Sequence, residues 1–257
     1  MRKTKIERVG YEKCNNQGCL MKCIEYNKYS YILVEFQDKY KYVTNSQWGH
    51  FKSGNIKNPY FPEVLGVGSL GVKYPTKIND KHLKEYITWR HILERAFDIS
   101  YKMKFQTYND CSVCDEWLLY ENFYEWLHSQ SNFEQWLRGD RWAIDKDIIK
   151  KGNKLYSPDT CCLVPPKINS LFTKRDCARG CLPIGVSKHQ QKYRASINMD
   201  DKRVIFPVRC TVEEAFLDYK YIKEEYIKQI AQSEFGACNI TVKCYNAMMN
   251  YEVEITD

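Results

Sequence analysis

The sequence predicts an α+β fold divided among several small domains, and three observations predict it. The first third is rich in branched and aromatic residues between turn-forming ones, the middle carries apolar residues at helical spacing, and the last third reads as three short strands followed by one long helix. With 257 residues, 44% of them hydrophobic and 14% aromatic, the chain is long enough to bury real cores and is not of disordered composition.

From Val9 to about Gly71 the text is β-like, with Leu20–Tyr26 and Tyr31–Phe36 as the clearest strands and turns at Asn15–Gly18 and Gln37–Lys39. Trp48–Pro59 reads as a turn-rich basic segment, and the whole as a small barrel or sheet occupying residues 1–75. The charged run from Lys73 to Lys84 reads as a linker. Trp89, Ile92, Leu93, Ala96 and Phe97 then recur at helical spacing, predicting an amphipathic helix from about Lys84 to Ala96. Cys114–Trp117 introduces a second helical run through Leu118, Phe123, Trp126 and Leu127 toward Trp136. A short helix over Ile168–Phe172 ends where Thr173–Asp176 breaks the pattern, which bounds a central α-rich domain at 84–176 with a boundary near Gly180.

The last domain, 182–257, starts at Leu182–Ser187. Tyr193–Ile197 and Arg203–Phe206 make a hairpin across Asn198–Lys202, giving three antiparallel strands with the first. Thr211 followed three residues later by Glu214 is a capping-box start for a helix with Ala215, Tyr219, Ile222, Tyr226 and Ile230 on one face. That helix covers one face of the sheet and leaves the other free. Lys188, Lys192, Arg194 and Arg203 are assigned to the free face as DNA-facing residues, since a sheet of this width fits the major groove.

Thirty-nine basic against 32 acidic residues give a formal charge of +7, with an isoelectric point near 8.7, a mild preference for a polyanion. No apolar run approaches the roughly 20 residues that cross a bilayer, and the opening seven residues lack the apolar core of a signal peptide, so a soluble intracellular protein with no membrane partner is expected. The twelve cysteines are spread along the chain and most of them read as buried thiols. Of the pairs Cys111 with Cys114, Cys161 with Cys162 and Cys177 with Cys181, only the first has the spacer of a zinc knuckle, and a structural Zn2+ is not expected.

The densest chemistry lies between Trp142 and Asn169. An apolar approach delivers Asp145, Lys146 and Asp147, a Gly-Asn turn at Gly152 and Asn153 reverses the chain, and a second apolar run leads into the helix carrying Asn169. This is a hairpin followed by a helix. Read bare, Asp145 and Asp147 either serve a metal or pair with Lys146, Lys150 and Lys151.

Cys114–Trp117, Asn122–Phe123, Ile144–Ile148, Gly152–Lys154, Tyr156–Pro158, Val164–Pro165 and Ile168–Phe172 together resemble phage and prophage proteins of the HNH-like, ββα-metal endonuclease family. The tail from Ile184 to about Ile230 resembles the Apetala/ERF-type DNA-binding domain that often follows such nucleases, and Gly54–Pro59 resembles the same phage proteins. The resemblance implies a DNA nicking or cleaving enzyme in the cytoplasm of a bacterial host, with double-stranded DNA as partner. It also implies Asp145 and Asn169 as ligands of Mg2+ or Mn2+, because a hard cation takes oxygen donors and needs few from the protein if it also binds phosphate.

Lys146 stands where the family places its general-base histidine, and Thr160 stands near the family's middle asparagine. A lysine of ordinary pKa near 10 is protonated at neutral pH. Three readings follow: Lys146 is neutral in its site and catalytic, Asp147 is the catalytic base, or the site is silent and kept for its fold. In the last case the chain is a DNA- or protein-binding factor, such as a transcriptional regulator or an inhibitor of a host defence nuclease.

Overall fold

The computed structural model describes residues 8–173, 181–200 and 202–257. The opening residues, most of Thr173–Asp176, the Gly180 boundary and Cys177 therefore lie outside the described residues. The fold is α+β with several separate sheets. It forms two compact units: one runs to Asn109 and takes in Val113–Glu125, the other comprises Asp110–Ser112 and Trp126–Asp257.

In the first unit β1 (Glu12–Cys14), β2 (Leu20–Lys28), β3 (Tyr31–Phe36) and β4 (Val43–Ser46) form an antiparallel meander. Met21, Cys23, Ile32, Val34 and Phe36 alternate inward and are fully buried, as a period of two on a half-buried sheet requires. The segment after Ser46, expected as turn-rich loop, instead forms α1 (Trp48–Ser53). Trp48 and Phe51 explain it: three residues apart, they share one helix face and close the core beneath the sheet.

The run expected as a linker holds a small hairpin, β5 (Lys77–Ile78) with β6 (Lys81–His82). Asn79 and Asp80 both adopt positive φ, 49° and 60°, the conformation a two-residue hairpin turn demands and that these residue types tolerate. The predicted amphipathic helix is α2 (Lys84–Phe97), with Trp89, Ile92, Leu93 and Ala96 buried. The Trp89 indole donates to the Trp117 carbonyl at 2.7 Å, which fixes α2 against the 3-10 turn at Asp115–Leu118. After α3 (Ile99–Lys104) and β7 (Ser112–Val113), α4 (Tyr120–Ser129) contains the division between the units.

The second unit contains α5 (Phe133–Arg138), β8 (Ala143–Asp145), β9 (Leu155–Tyr156), β10 (Cys162–Val164) and α6 (Pro166–Phe172). Beyond them come β11 (Val186–His189), β12 (Lys192–Met199), β13 (Lys202–Arg209), α7 (Val212–Gly236) and α8 (Val242–Met249). A shared core joins β10 and α6 to the C-terminal sheet and helices: Ile148, Cys162, Val164 and Ile168 pack in the same cluster as Ala195, Ile197, Ile227, Cys244 and Met248. Fully buried Asn132 ties the parts together, its amide donating to Leu163 O at 3.0 Å and Asn239 O at 2.8 Å.

Candidate functional site

Strands β8 and β10 pair antiparallel with Asp145 opposite Cys162 and Ala143 opposite Val164, and α6 follows at once and packs on β8. The connection turns at Gly152, whose φ of 74° belongs to the left-handed region. Between the paired strands β8 and β10 the chain also forms β9, which belongs to a different sheet, so the expected simple hairpin across Gly152 and Asn153 is interrupted before α6 follows.

Asp145 ends β8, and its Oδ1 accepts from the backbone N–H groups of Asp147 (2.7 Å) and Ile148 (2.8 Å). Burial pushes its carboxyl above the usual range, against the lowering effect of those two bonds. Lys146 is buried, and its ammonium reaches Asp147 Oδ1 at 2.7 Å and lies 5.8 Å from the centre of the Tyr156 ring. The Asp147 side chain is 46% exposed. Of the pairings open in the sequence, the ion pair of Lys146 with Asp147 forms, whereas Lys151 turns to Glu254 (3.0 Å) and Asp257 (2.8 Å).

Asn169 lies half-buried on α6, its backbone bonded to Pro165 and Thr173. Thr160 donates to Leu155 O at 2.6 Å and sits 2.9 Å from the Ser157 hydroxyl, so its side chain is spent inside the turn. Asn153, which the sequence suggested only as a turn residue, donates to both Lys146 O (2.9 Å) and Leu155 O (2.7 Å). It links the turn to the residue in the base position, and only its place beside Gly152 could have signalled this.

The side-chain oxygens of the two residues expected to hold a cation are the second Asp145 oxygen, at the end of β8, and the Asn169 amide oxygen, on α6. Desolvation of the Asp145 carboxylate is the condition that a bound cation relieves. Among the described residues no group of three or more His, Cys, Asp or Glu side chains is arranged around a metal position. The cysteines described are free thiols, but only Cys23, Cys111, Cys161, Cys162 and Cys244 are buried, so the expectation that most are buried does not hold among the described residues.

In the C-terminal sheet β12 is central, paired with β11 and β13. Ala195 and Ile197 are buried toward α7, so Lys192, Arg194, Ser196 and Asn198 share the opposite face. Arg203 pairs with Asn198 and donates to Ser196 Oγ at 3.1 Å, which puts it on that face too. Lys188 differs from expectation. It pairs with Tyr193, and the period of two sets it on the other side, with Ser187 and His189 facing with Arg194 and Lys192 instead. The register between β12 and β13 shifts between Arg194 and Ser196, with Pro207 in the shifted stretch, where it costs the ladder little. Arg194 Nε is buried with no hydrogen-bond partner among the described residues. Gly185 (φ 76°) precedes the sheet, and a Cβ there would stand 2.0 Å from the Tyr219 ring of α7, so the close approach of strand and helix requires glycine.

No protein-family model, curated protein or solved structure matches this chain. The sites therefore rest on their own geometry. No helix of the described residues is long and apolar enough to cross a membrane.

Proposed function

We propose that this chain is a DNA-binding protein of the HNH-like nuclease type. The free face of the C-terminal sheet holds double-stranded DNA, and the β8–β10–α6 element nicks or cleaves it with a divalent metal. The observation that carries the proposal is Asp145. It is a desolvated carboxylate at the end of the first strand of a strand–strand–helix element, with one oxygen bonded to the backbone and the other without a hydrogen bond among the described residues.

Asp145 and Asn169 would hold Mg2+ or Mn2+, and a cation there would supply charge stabilisation for the scissile phosphate and the leaving oxygen. Asp147 or Lys146 takes the proton from water, with Asn153 fixing the turn behind them. Lys192, Arg194 and Arg203 contact phosphates or base edges, and Lys188 reaches the backbone only past the edge of the sheet. A second reading is favoured by the Lys146–Asp147 pair itself. If the two side chains only satisfy one another, the chain binds DNA or a host nuclease complex without cleaving anything.

Incubation of supercoiled plasmid with the protein and Mg2+ or Mn2+, beside Asp145→Ala and Asn169→Ala, tests the first reading. Loss of nicking in both variants is expected, and nicking that survives both overturns the site. Absence of nicking with either metal, with duplex binding retained, selects the second reading.

A further inference from the structure

The free face of the C-terminal sheet is basic and polar on β12 and carries one prominent aliphatic side chain on β13. Lys192, Arg194, Ser196 and Asn198 point outward from β12, while on β13 Arg203 stands opposite Asn198 and Ile205 opposite Ser196. Ile205 is 55% exposed, whereas its chain neighbours Val204 and Phe206 turn inward and pack on the core. The fold gains little burial from Ile205, which stands in water beside an arginine and an amide.

Two features keep it prominent. The backbone N–H of Ser196 donates to Gly185 O at 2.8 Å, so past this small side chain comes a residue with none. On its own strand Ile205 borders a bulge, since the step from Arg194 to Ser196 on β12 spans the three from Val208 to Ile205 on β13. Bulges re-aim the side chains next to them. Diagonally across from Ile205 lies Asn198, whose side-chain amide makes no hydrogen bond among the described residues. Arg203, beside it, is tied to Ser196 Oγ at 3.1 Å. Diagonal neighbours in a sheet stand roughly 7–8 Å apart, near enough to meet one base pair together. Among unmodified base pairs, only A·T presents a methyl group in the major groove, on thymine, together with an acceptor and a donor side by side on adenine. An apolar side chain covers the first and an Asn amide bonds the second.

We propose that Ile205 and Asn198 read an A·T base pair in the major groove, Ile205 covering the thymine methyl and Asn198 bonding the adenine edge. The proposal deepens the DNA-binding reading above and rests on it. It gives a face whose lysine and arginines attract any duplex a means of preferring one sequence over another.

Binding of the full chain to three duplexes of equal length tests it: alternating dA–dT, the same sequence with deoxyuridine for every thymidine, and alternating dG–dC. The second differs from the first only in lacking the methyl groups. The wild type is expected to bind the thymine duplex about fourfold tighter than the deoxyuridine one, the worth of one covered methyl, and at least about fivefold tighter than dG–dC. Ile205→Ala should bind the first two alike, and Asn198→Ala should lose most of the preference over dG–dC. Both side chains are exposed, so neither truncation opens a cavity in the core. Equal affinity of the wild type for the thymine and deoxyuridine duplexes overturns the base-pair contact and leaves DNA binding standing. So does a methyl preference that survives Ile205→Ala, or an A·T preference that survives Asn198→Ala. If none of the three duplexes binds, the DNA reading and this contact fall together.

Discussion

Asp145 is the residue where structure and chemistry compete. Its Oδ1 satisfies two backbone N–H groups, while burial disfavours its charge. A carboxyl whose folded pKa is raised binds its proton more tightly when folded, so its contribution to stability falls as pH rises from the unfolded value, near 4, through the folded one. Asp145→Asn keeps the two accepted bonds and removes the charge, and is expected to equal or exceed wild-type stability at pH 7. Asp145→Ala leaves both N–H groups without their acceptor and should cost about 1–3 kcal/mol. Urea unfolding of the three proteins at pH 7 measures the order Asn, wild type, Ala. A less stable Asn variant would show that the charge itself is favourable there, through Lys146. With Mg2+ added, only the wild type should gain in melting temperature, because binding to the folded state alone stabilises it.

At the scale of elements, the sequence was legible wherever one pattern dominated. The α2 stripe, the two long strands β2 and β3, and the capping box of α7 appear where they were read. Thr211 accepts from Glu214 N at 3.2 Å and Glu214 reaches back to Thr211 N at 3.2 Å. Thr211→Ala should therefore cost about 1 kcal/mol, read as a lower urea midpoint with unchanged slope. Helix α1 was not legible, because six residues with a glycine inside them show too little periodicity and its helicity comes from the packing of Trp48 and Phe51. The β5–β6 hairpin hid behind its lysines, its signal being the Asn-Asp turn rather than apolar alternation. On β12 and β13 the basic residues were visible, but which face each takes depends on register, and that is how Lys188 parts from Lys192, Arg194 and Arg203. Lys192→Ala and Arg194→Ala should each lower duplex affinity and reduce the salt slope by about one. A salt titration with parallel slopes rejects that face.

At the scale of the molecule, the second unit is held together by contacts that no local pattern announces. The segment after α8 runs across it: Lys220 donates to Val253 O at 2.8 Å, Glu224 accepts from Val253 N at 2.8 Å, and Lys151 joins Glu252 O, Glu254 and Asp257. Lys223 of α7 belongs to the same seam, its ammonium donating to Leu171 O at the end of α6 at 2.9 Å. Burial alone pulls its pKa down to about 8. A lysine depressed in the folded state binds its proton more weakly there than in the unfolded chain, so its charge is a cost fully present below about pH 8. That cost is relieved as pH rises from 8 toward the unfolded value near 10.4. Lys223→Met removes the titration while keeping most of the apolar stem. Its stability relative to wild type is expected to be greatest below pH 8 and to decline steadily up to pH 10, as the neutral wild-type amine keeps its bond to Leu171 without the charge. Unfolding midpoints taken at half-unit steps from pH 7 to 10 measure the difference, and two parallel curves would show that Lys223 is solvated in its seam and that α6 and α7 are joined there without the desolvation inferred from the fold.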